Sequence, residues 1–115
     1  MRGPYSLNRA NIAINVPDRT GVLLLIHGDS YEPVYVERSE HLRKALIRHL
    51  PESEKSTKIK EHSPDRFMFQ TAKDDQKAFD LECRWYHLFK PKCNFDHPLY
   101  STAGVSCPLC GFEGE

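Results

Sequence analysis

The sequence predicts an α/β fold: a small, mainly antiparallel three-stranded sheet with helices packed against it. Three observations support this prediction. A continuous apolar run over 22–26 has the length and β-branched character of a strand buried on both faces. Two further short segments, around Tyr35 and Phe67, have strand composition. Apolar residues at helical spacing recur over 42–50 and 78–89, which predicts two helices that bury one face each.

The first third of the chain predicts a helix, a turn and a hairpin. Ser6 can cap a short helix over 6–16, although its apolar spacing is imperfect. A Pro-Asp-Arg-Thr-Gly turn leads into the strand at 22–26. A second short strand at 33–36 follows a glycine-containing turn, so these two strands form a hairpin.

The middle of the chain predicts a helix and a polar connection. Ser39 has the character of an N-cap, because its hydroxyl can accept from the free amides of a first helical turn. Pro51 ends this helix. The residues over 52–64 are polar and form either a loop or an exposed short helix.

The last predicted elements are a strand over 66–70 and a long helix. Asp74 or Asp75 can cap this helix, and it stops at Lys90 because the following proline disfavours helix in the residue before it. From residue 94 onward the chain is loop-like. We expect one domain over 1–95 and a separate tail over 96–115.

The composition is that of a soluble globular protein. The chain has 115 residues, of which 39% are hydrophobic and 28% charged. No apolar run approaches the roughly 20 residues needed to span a bilayer, and the N-terminus leads into no signal-like apolar core. We therefore expect a cytoplasmic location, no membrane association, and cysteines that are thiols or metal ligands.

The charge distribution is uneven although the net charge is zero. Neutrality weakly opposes tight, nonspecific binding of nucleic acid. Basic side chains nevertheless cluster on the first long helix and around the second. The candidate nucleic-acid contacts are Arg38, Arg43, Lys44, Arg48, Arg84 and Lys92. The simpler alternative is that these residues form solvated helix faces.

Three polar residues occupy positions where apolar ones are expected. Glu82 lies on the apolar stripe of its helix, so its carboxylate must be paired, hydrogen-bonded or metal-bound. Tyr35 alternates with two valines in its strand, and His49 lies on the inner face of its helix. Each residue alone is also compatible with a structural role.

Ordered motifs join these residues. Gly21-Val22-Leu23 is followed by Tyr35-Val36-Glu37, then by Leu81-Glu82, and later by Asn94 in Lys-Pro-Lys-Cys-Asn. In this order and spacing the chain resembles the GIY-YIG nuclease domain family over about two-thirds of its length, from residue 17 to 94. The resemblance implies a domain that cuts nucleic-acid backbones with one divalent ion, Mg²⁺ or Mn²⁺.

The resemblance also implies roles for individual residues. Tyr35 matches the tyrosine of the second motif, and Glu82 matches the glutamate that binds the catalytic metal. His49 matches a histidine that some members keep, and Asn94 matches an asparagine after that helix. These four residues, together with Arg48, are the candidate catalytic set.

The chain departs from the family pattern at three positions. Leu23 replaces the tyrosine of the first motif, Glu37 replaces a glycine, and Ala45 replaces the catalytic arginine. Losing one electrostatic donor of this kind costs about 100- to 1000-fold in rate. Arg48 lies three residues after Ala45, near the same helix face, and is the candidate to replace the arginine.

The tail contains a possible half of a metal site. Cys107-Pro-Leu-Cys110-Gly has the two-residue thiolate spacing that suits tetrahedral zinc. Cys93 and His97 are the best second pair of ligands, with Cys83 in reserve. The sequence predicts a structural zinc at these positions, and unmetallated thiols are the alternative.

Three functions remain open at this level. The first is a divergent domain that binds DNA or RNA, DNA in preference, with weak or absent cleavage. The second is an active nuclease in which Arg48 has taken over the arginine's role. The third, which the neutral net charge favours, is a module that reuses the scaffold to bind a protein partner.

Overall fold

A computed structural model describes residues 2–99 and 105–112 and confirms the α/β fold. The strands are β1 (Arg2–Ser6), β2 (Gly21–His27), β3 (Glu32–Ser39) and β4 (Arg66–Thr71). The helices are α1 (Arg9–Asn15), α2 (Leu42–Arg48), α3 (Thr57–Glu61) and α4 (Asp75–Phe89). One antiparallel sheet has the order β1-β4-β2-β3. In the part of the chain so described, no helix is long and apolar enough to cross a membrane.

The sheet has a fourth strand beyond the three predicted. Ser6, predicted to start the N-terminal helix, is instead the last residue of β1, a strand in which Tyr5 pairs with Phe67 of β4. The helix α1 begins later, at Arg9, because the side chain of Asn8 accepts a hydrogen bond from the amide of Asn11 at 2.8 Å. The N-cap is therefore Asn8 and not Ser6.

The central strand β2 separates two apolar layers. Its first six residues are all buried, as expected for a strand covered on both faces. Leu23 and Leu25 face the layer built with α1 and α2. Val22, Leu24 and Ile26 face the layer that contains Trp85 of α4.

The two longest predicted helices are present with small changes at their ends. The helix α2 begins at Leu42, because Ser39 still belongs to β3 and its hydroxyl accepts from the amide of His41 at 3.0 Å. Asp74 caps α4 by accepting from the amide of Lys77 at 2.8 Å. The helix ends at Phe89, and its C-cap Lys90 has a left-handed backbone with φ of 48°.

The edge of β3 is covered by the segment that follows α4. The amides of Lys92 and Cys93 donate to the carbonyls of Pro33 and Val34 at 3.3 and 2.8 Å. We call residues 92–94 the edge segment. These hydrogen bonds hold the position of the strand that carries Tyr35 and Glu37.

Candidate functional site

The candidate site is built around β3, where side chains from α2 and α4 meet the strand. Alternation along β3 directs Tyr35 and Glu37 toward His49, which follows α2, and Arg38 toward α4. We call Tyr35, Glu37, Arg38, His49 and Glu82 the β3 site. Tyr35 and His49 thus meet beside β3, whereas Glu82 reaches this strand through Arg38.

Glu82 is held by an arginine. Its Oε1 accepts from Nη1 of Arg38 at 3.1 Å, and the glutamate side chain is only 13% exposed. Arg38 also pairs with Asp75 at 3.1 Å and lies over the ring of Phe79. Burial raises the pKa of Glu82 to about 7 although the Arg38 charge opposes it. The prediction that Glu82 must have a polar partner is confirmed.

His49 lies between two carboxylates. Its Nε2 is 2.6 Å from Oε1 of Glu37, and its Nδ1 is 2.6 Å from Oε1 of Glu54. Both contacts can be hydrogen bonds to ionised carboxylates only if the ring carries two protons. Burial lowers the pKa of His49, but the hydrogen bonds to both glutamates outweigh it and raise the pKa above its ordinary value. This histidine is thus engaged on both nitrogens.

Tyr35 is partly buried against the α1–α2 layer. Its ring meets the ring of His49 edge to face, with centroids 5.5 Å apart. Burial, followed by the negative charges of Glu37 and Glu82, raises the pKa of this phenol to about 12. The hydroxyl therefore stays protonated at neutral pH, and it could orient a water molecule more readily than deprotonate one.

Asn94 belongs to the edge segment and binds the backbone of β3. Its Oδ1 accepts from the amide of Val36 at 2.8 Å, and its Nδ2 donates to the carbonyl of Val36 at 2.9 Å. One side-chain amide thus satisfies both polar groups of a residue on a strand edge. In this structure Asn94 positions the strand between Tyr35 and Glu37.

Two of the positions that depart from the family pattern carry side chains that are buried in the core. Leu23 and Ala45 are both fully buried in the α1–α2 layer. Arg48 is on the surface, with its side chain 64% exposed and its Nη2 3.7 Å from Glu37. Arg48 therefore borders the β3 site, whereas the side chain at position 45 contributes to the core.

The predicted basic residues make several different contacts. Arg38 and Arg48 contact the β3 site. Arg43 donates from Nε to the carbonyl of Val16 at 3.0 Å, which joins α2 to the end of α1. The three others make other contacts. The amide of Lys44 donates to Oδ1 of Asp18 at 3.5 Å, Lys92 pairs with Glu32 at 2.9 Å, and Arg84 lines a pocket with Gln70 and Asp80.

The tail brings together three of the four predicted zinc ligands. His97, Cys107 and Cys110 lie with His87 of α4 in one group, with all four ligand atoms within 4.8 Å of one another. Cys93 lies elsewhere: it packs into the α1–α2 layer, and its thiol points to the carbonyl of Lys58 at 3.5 Å. Cys93 is separated from the other predicted ligands because it belongs to the edge segment, which is hydrogen-bonded along β3. Cys83 is fully buried against Cys107.

Glu82 is the residue that the resemblance predicts as the ligand of a divalent ion, and its chemistry fits that role. A buried carboxylate with oxygen donors is suitable chemistry for Mg²⁺ or Mn²⁺, which usually keep several waters and bind one or two carboxylates. When bound, such an ion polarises a phosphodiester. Arg38 contacts Oε1 of the same carboxylate, so its positive charge would oppose a metal ion at this residue.

Two functional contacts escaped the sequence reasoning. Arg38 was expected only as a nucleic-acid contact, yet it is the partner of Glu82. Arg38 lies two residues after Val36 in the strand, so both side chains point to the face of the sheet that α4 covers. This spacing was the available signal. His87 was not singled out, because its approach to His97 depends on the turn after Phe89.

Comparison with known proteins agrees with this geometry. No protein-family model matches the chain. Over 89 residues the chain is 28% identical to the UvrABC system protein C of Aquifex aeolicus, a match that spans 76% of this chain and 15% of that protein. The chain therefore corresponds to a small part of that relative.

Solved structures give the same assignment. The GIY-YIG N-terminal endonuclease domain of UvrC from Thermotoga maritima has a TM-score of 0.57 and 26% identity, covering 73% of this chain and 90% of that domain. These structures are point mutants bound to the catalytic divalent cation of that domain. The fold, the motif residues around β3 and these similarities together show that the chain is similar to the GIY-YIG domain family.

Proposed function

We propose that the chain is a divergent GIY-YIG domain that binds nucleic acid, DNA in preference to RNA, and cleaves it weakly or not at all. The proposal is supported mainly by the state of Glu82. This carboxylate is buried and paired with Arg38 at 3.1 Å, so the domain supplies its own cation at the metal-ligand position. The charge of Arg38 beside this carboxylate opposes the binding of a metal ion there, which weakens the affinity for the ion.

The other retained residues are also engaged. Both nitrogens of His49 face carboxylates at 2.6 Å, so neither is available to a substrate while the ring is protonated. The phenol of Tyr35 has a pKa of about 12 and is a poor base at neutral pH. Asn94 uses both ends of its amide on the backbone of Val36. These contacts stabilise the site but leave few groups to act on a phosphodiester.

The negative charge at position 37 further disfavours catalysis. Glu37 stands where the family has a glycine, and its side chain is 20% exposed beside Tyr35. A carboxylate at that place repels a phosphate that approaches the strand. Arg48 partly offsets this repulsion from 3.7 Å.

An active nuclease is the second candidate, and the position of Arg48 favours it. This guanidinium is 64% exposed and borders the β3 site through its contact with Glu37. A guanidinium near a scissile phosphate stabilises the charge that develops on the phosphoryl oxygens. In this version Arg48 replaces the arginine lost at Ala45.

DNA binding is tested by fluorescence anisotropy on duplex, branched and single-stranded probes over a range of salt. We expect weak affinity that falls steeply with salt, with a slope of about 0.9 per phosphate contacted on duplex DNA. Arg48→Gln should reduce that slope by about one contact. Arg9→Gln is the matched control, since Arg9 lies on α1 and is 63% exposed.

Cleavage is tested separately, with Mg²⁺ and with Mn²⁺, beside the Thermotoga domain as a positive control. Two lost donors at about 100-fold each predict a rate at least 10⁴-fold below an intact site. Any residual cutting should vanish in Glu82→Gln. Robust cutting that Arg48→Gln abolishes would instead establish the second candidate. Absence of DNA binding even at low salt would refute both and favour a protein partner.

A further inference from the structure

We propose that His87, His97, Cys107 and Cys110 bind one zinc ion, which fastens the C-terminal segment to α4. The four residues come from three parts of the chain: α4, the loop after the edge segment, and the Cys-x-x-Cys turn. This ligand set differs from the one expected from spacing, because His87 takes the place of Cys93. It is also separate from the β3 site, where the ligand would be the carboxylate of Glu82.

Two of the distances between the ligand atoms fit the edges of a zinc tetrahedron. Zinc bonds of about 2.0–2.1 Å to nitrogen and about 2.3 Å to sulfur give edges of about 3.3 Å between two nitrogens and about 3.6 Å between nitrogen and sulfur. The Nε2 atoms of His87 and His97 are 3.2 Å apart. The Sγ of Cys110 is 3.4 Å from Nε2 of His97. Both distances lie within about 0.2 Å of the ideal edges.

The protonation of His97 also suits a metal ligand. Its Nδ1 lies 2.8 Å from the carbonyl oxygen of Pro98, which can only accept a hydrogen bond. In the neutral ring Nδ1 therefore carries the proton, and Nε2 presents a lone pair toward His87 and Cys110. A backbone carbonyl that orients a ligating imidazole in this way is the usual arrangement around bound metals.

The turn that carries the two cysteines has the matching geometry. The amide of Leu109 donates to the sulfur of Cys107 at 3.4 Å, a contact that stabilises a thiolate. The amide of Gly111 donates to the carbonyl of Cys107 at 2.9 Å and closes the turn. Gly111 has a φ of 75°, a conformation that favours glycine.

Four side-chain ligands leave no position for water or substrate, so the ion would be structural and not catalytic. The site still lies close to the β3 site. Nη2 of Arg38 donates to the carbonyl of Leu99 at 3.1 Å, only two residues after His97. Zinc would thus hold the stretch that contacts the arginine of Glu82.

The test uses the full chain produced in zinc-supplemented medium under reducing conditions, together with Cys110→Ser, His87→Asn and the control Cys93→Ser. We expect about one zinc per chain in wild type and Cys93→Ser, and at least a tenfold loss of zinc in the other two variants. Because Cys110 is exposed, Cys110→Ser should keep the wild-type far-ultraviolet circular dichroism. Titration with Co²⁺ should give the intense visible absorption of a tetrahedral thiolate complex in wild type, and it should be lost in Cys110→Ser.

Three results would overturn the proposal. One is wild-type protein that binds neither zinc nor Co²⁺ at equimolar metal. Another is equal loss of zinc in Cys93→Ser and Cys110→Ser, which would restore the spacing-based ligand set. The third is a Co²⁺ spectrum of weak, octahedral type in wild type, which would show that the thiolates do not bind.

Discussion

The substitution His49→Gln tests whether the histidine between Glu37 and Glu54 stabilises the domain as a cation. Glutamine has similar bulk but no charge, and its single amide group cannot donate to both carboxylates. Breaking a buried ion pair by removing one partner costs about 3–5 kcal/mol. Glu54 is 7% exposed, but Glu37 is 20% exposed and also near Arg48, so we expect the lower end, about 3 kcal/mol. The predicted fall in melting temperature is about 10–15 °C.

The assay is urea unfolding of wild type, His49→Gln and the control His41→Gln. His41 lies near the start of α2 in an exposed pair with Asp18 at 3.6 Å, so the control should change the free energy of unfolding by less than about 0.5 kcal/mol. Equal effects of the two substitutions would refute the ionic role of His49. A double-mutant cycle with Glu54→Gln would then show whether the residues are coupled at all.

The pH dependence of the same measurement gives an independent check. The folded-state pKa of His49 is raised, so its stabilisation is fully present below the unfolded value of about 6.5. It is lost as pH rises through the folded value, because the unfolded chain then binds fewer protons. The groups that face His49 are Glu37 from β3, Glu54 after α2 and the ring of Tyr35. The stability difference between wild type and His49→Gln should therefore shrink toward alkaline pH, and a constant difference would contradict the assignment.

Three other substitutions test the scaffold of the site. Asn94→Ala should lower the free energy of unfolding by about 2–3 kcal/mol, because it removes the hydrogen-bond partners of both backbone groups of Val36. It should also accelerate hydrogen exchange at the amide of Val36. Unchanged exchange would show that Asn94 does not protect this amide. Gly21→Ala should cost at least about 2 kcal/mol in thermal unfolding, because its Cβ would lie 2.3 Å from the carbonyl oxygen of Gln70; a neutral effect would show that the strands can separate there. Ala45→Arg should destabilise the domain and restore no cleavage, because position 45 is fully buried, whereas the exposed Ala13→Arg should be near neutral in the same melting assay.

The parts of the fold that could be predicted depend on local patterns. The run over 22–26 predicted a strand buried on both faces, and β2 is such a strand. Asp74 was one of two predicted caps of α4, and it makes the capping bond. The strand β1 could not be predicted in this way, because its Gly3-Pro4 sequence favours a turn and its strand geometry comes from pairing with β4.

The residues of the candidate site likewise divide into those that local sequence patterns indicate and those that only packing brings together. Glu82 was recognisable as a carboxylate on an apolar stripe, and the order of the motifs predicted a site that it shares with Tyr35. The sequence did not indicate that Arg38 is the cation paired with Glu82, because these two residues are brought together only by the packing of α4 against β3. The same holds for His87, which depends on the chain reversal at Lys90.

The edge segment has a consequence for how copies of this domain behave toward one another. An uncovered outer strand exposes a row of amides and carbonyls that a second chain can extend into a continuous intermolecular sheet. Here Lys92, Cys93 and Asn94 occupy the carbonyls of Pro33 and Val34 and both groups of Val36. A truncation before Lys92 would remove this cover while leaving the four strands intact. Such a shortened chain should associate through β3 at high concentration, and the full chain should resist association at that edge.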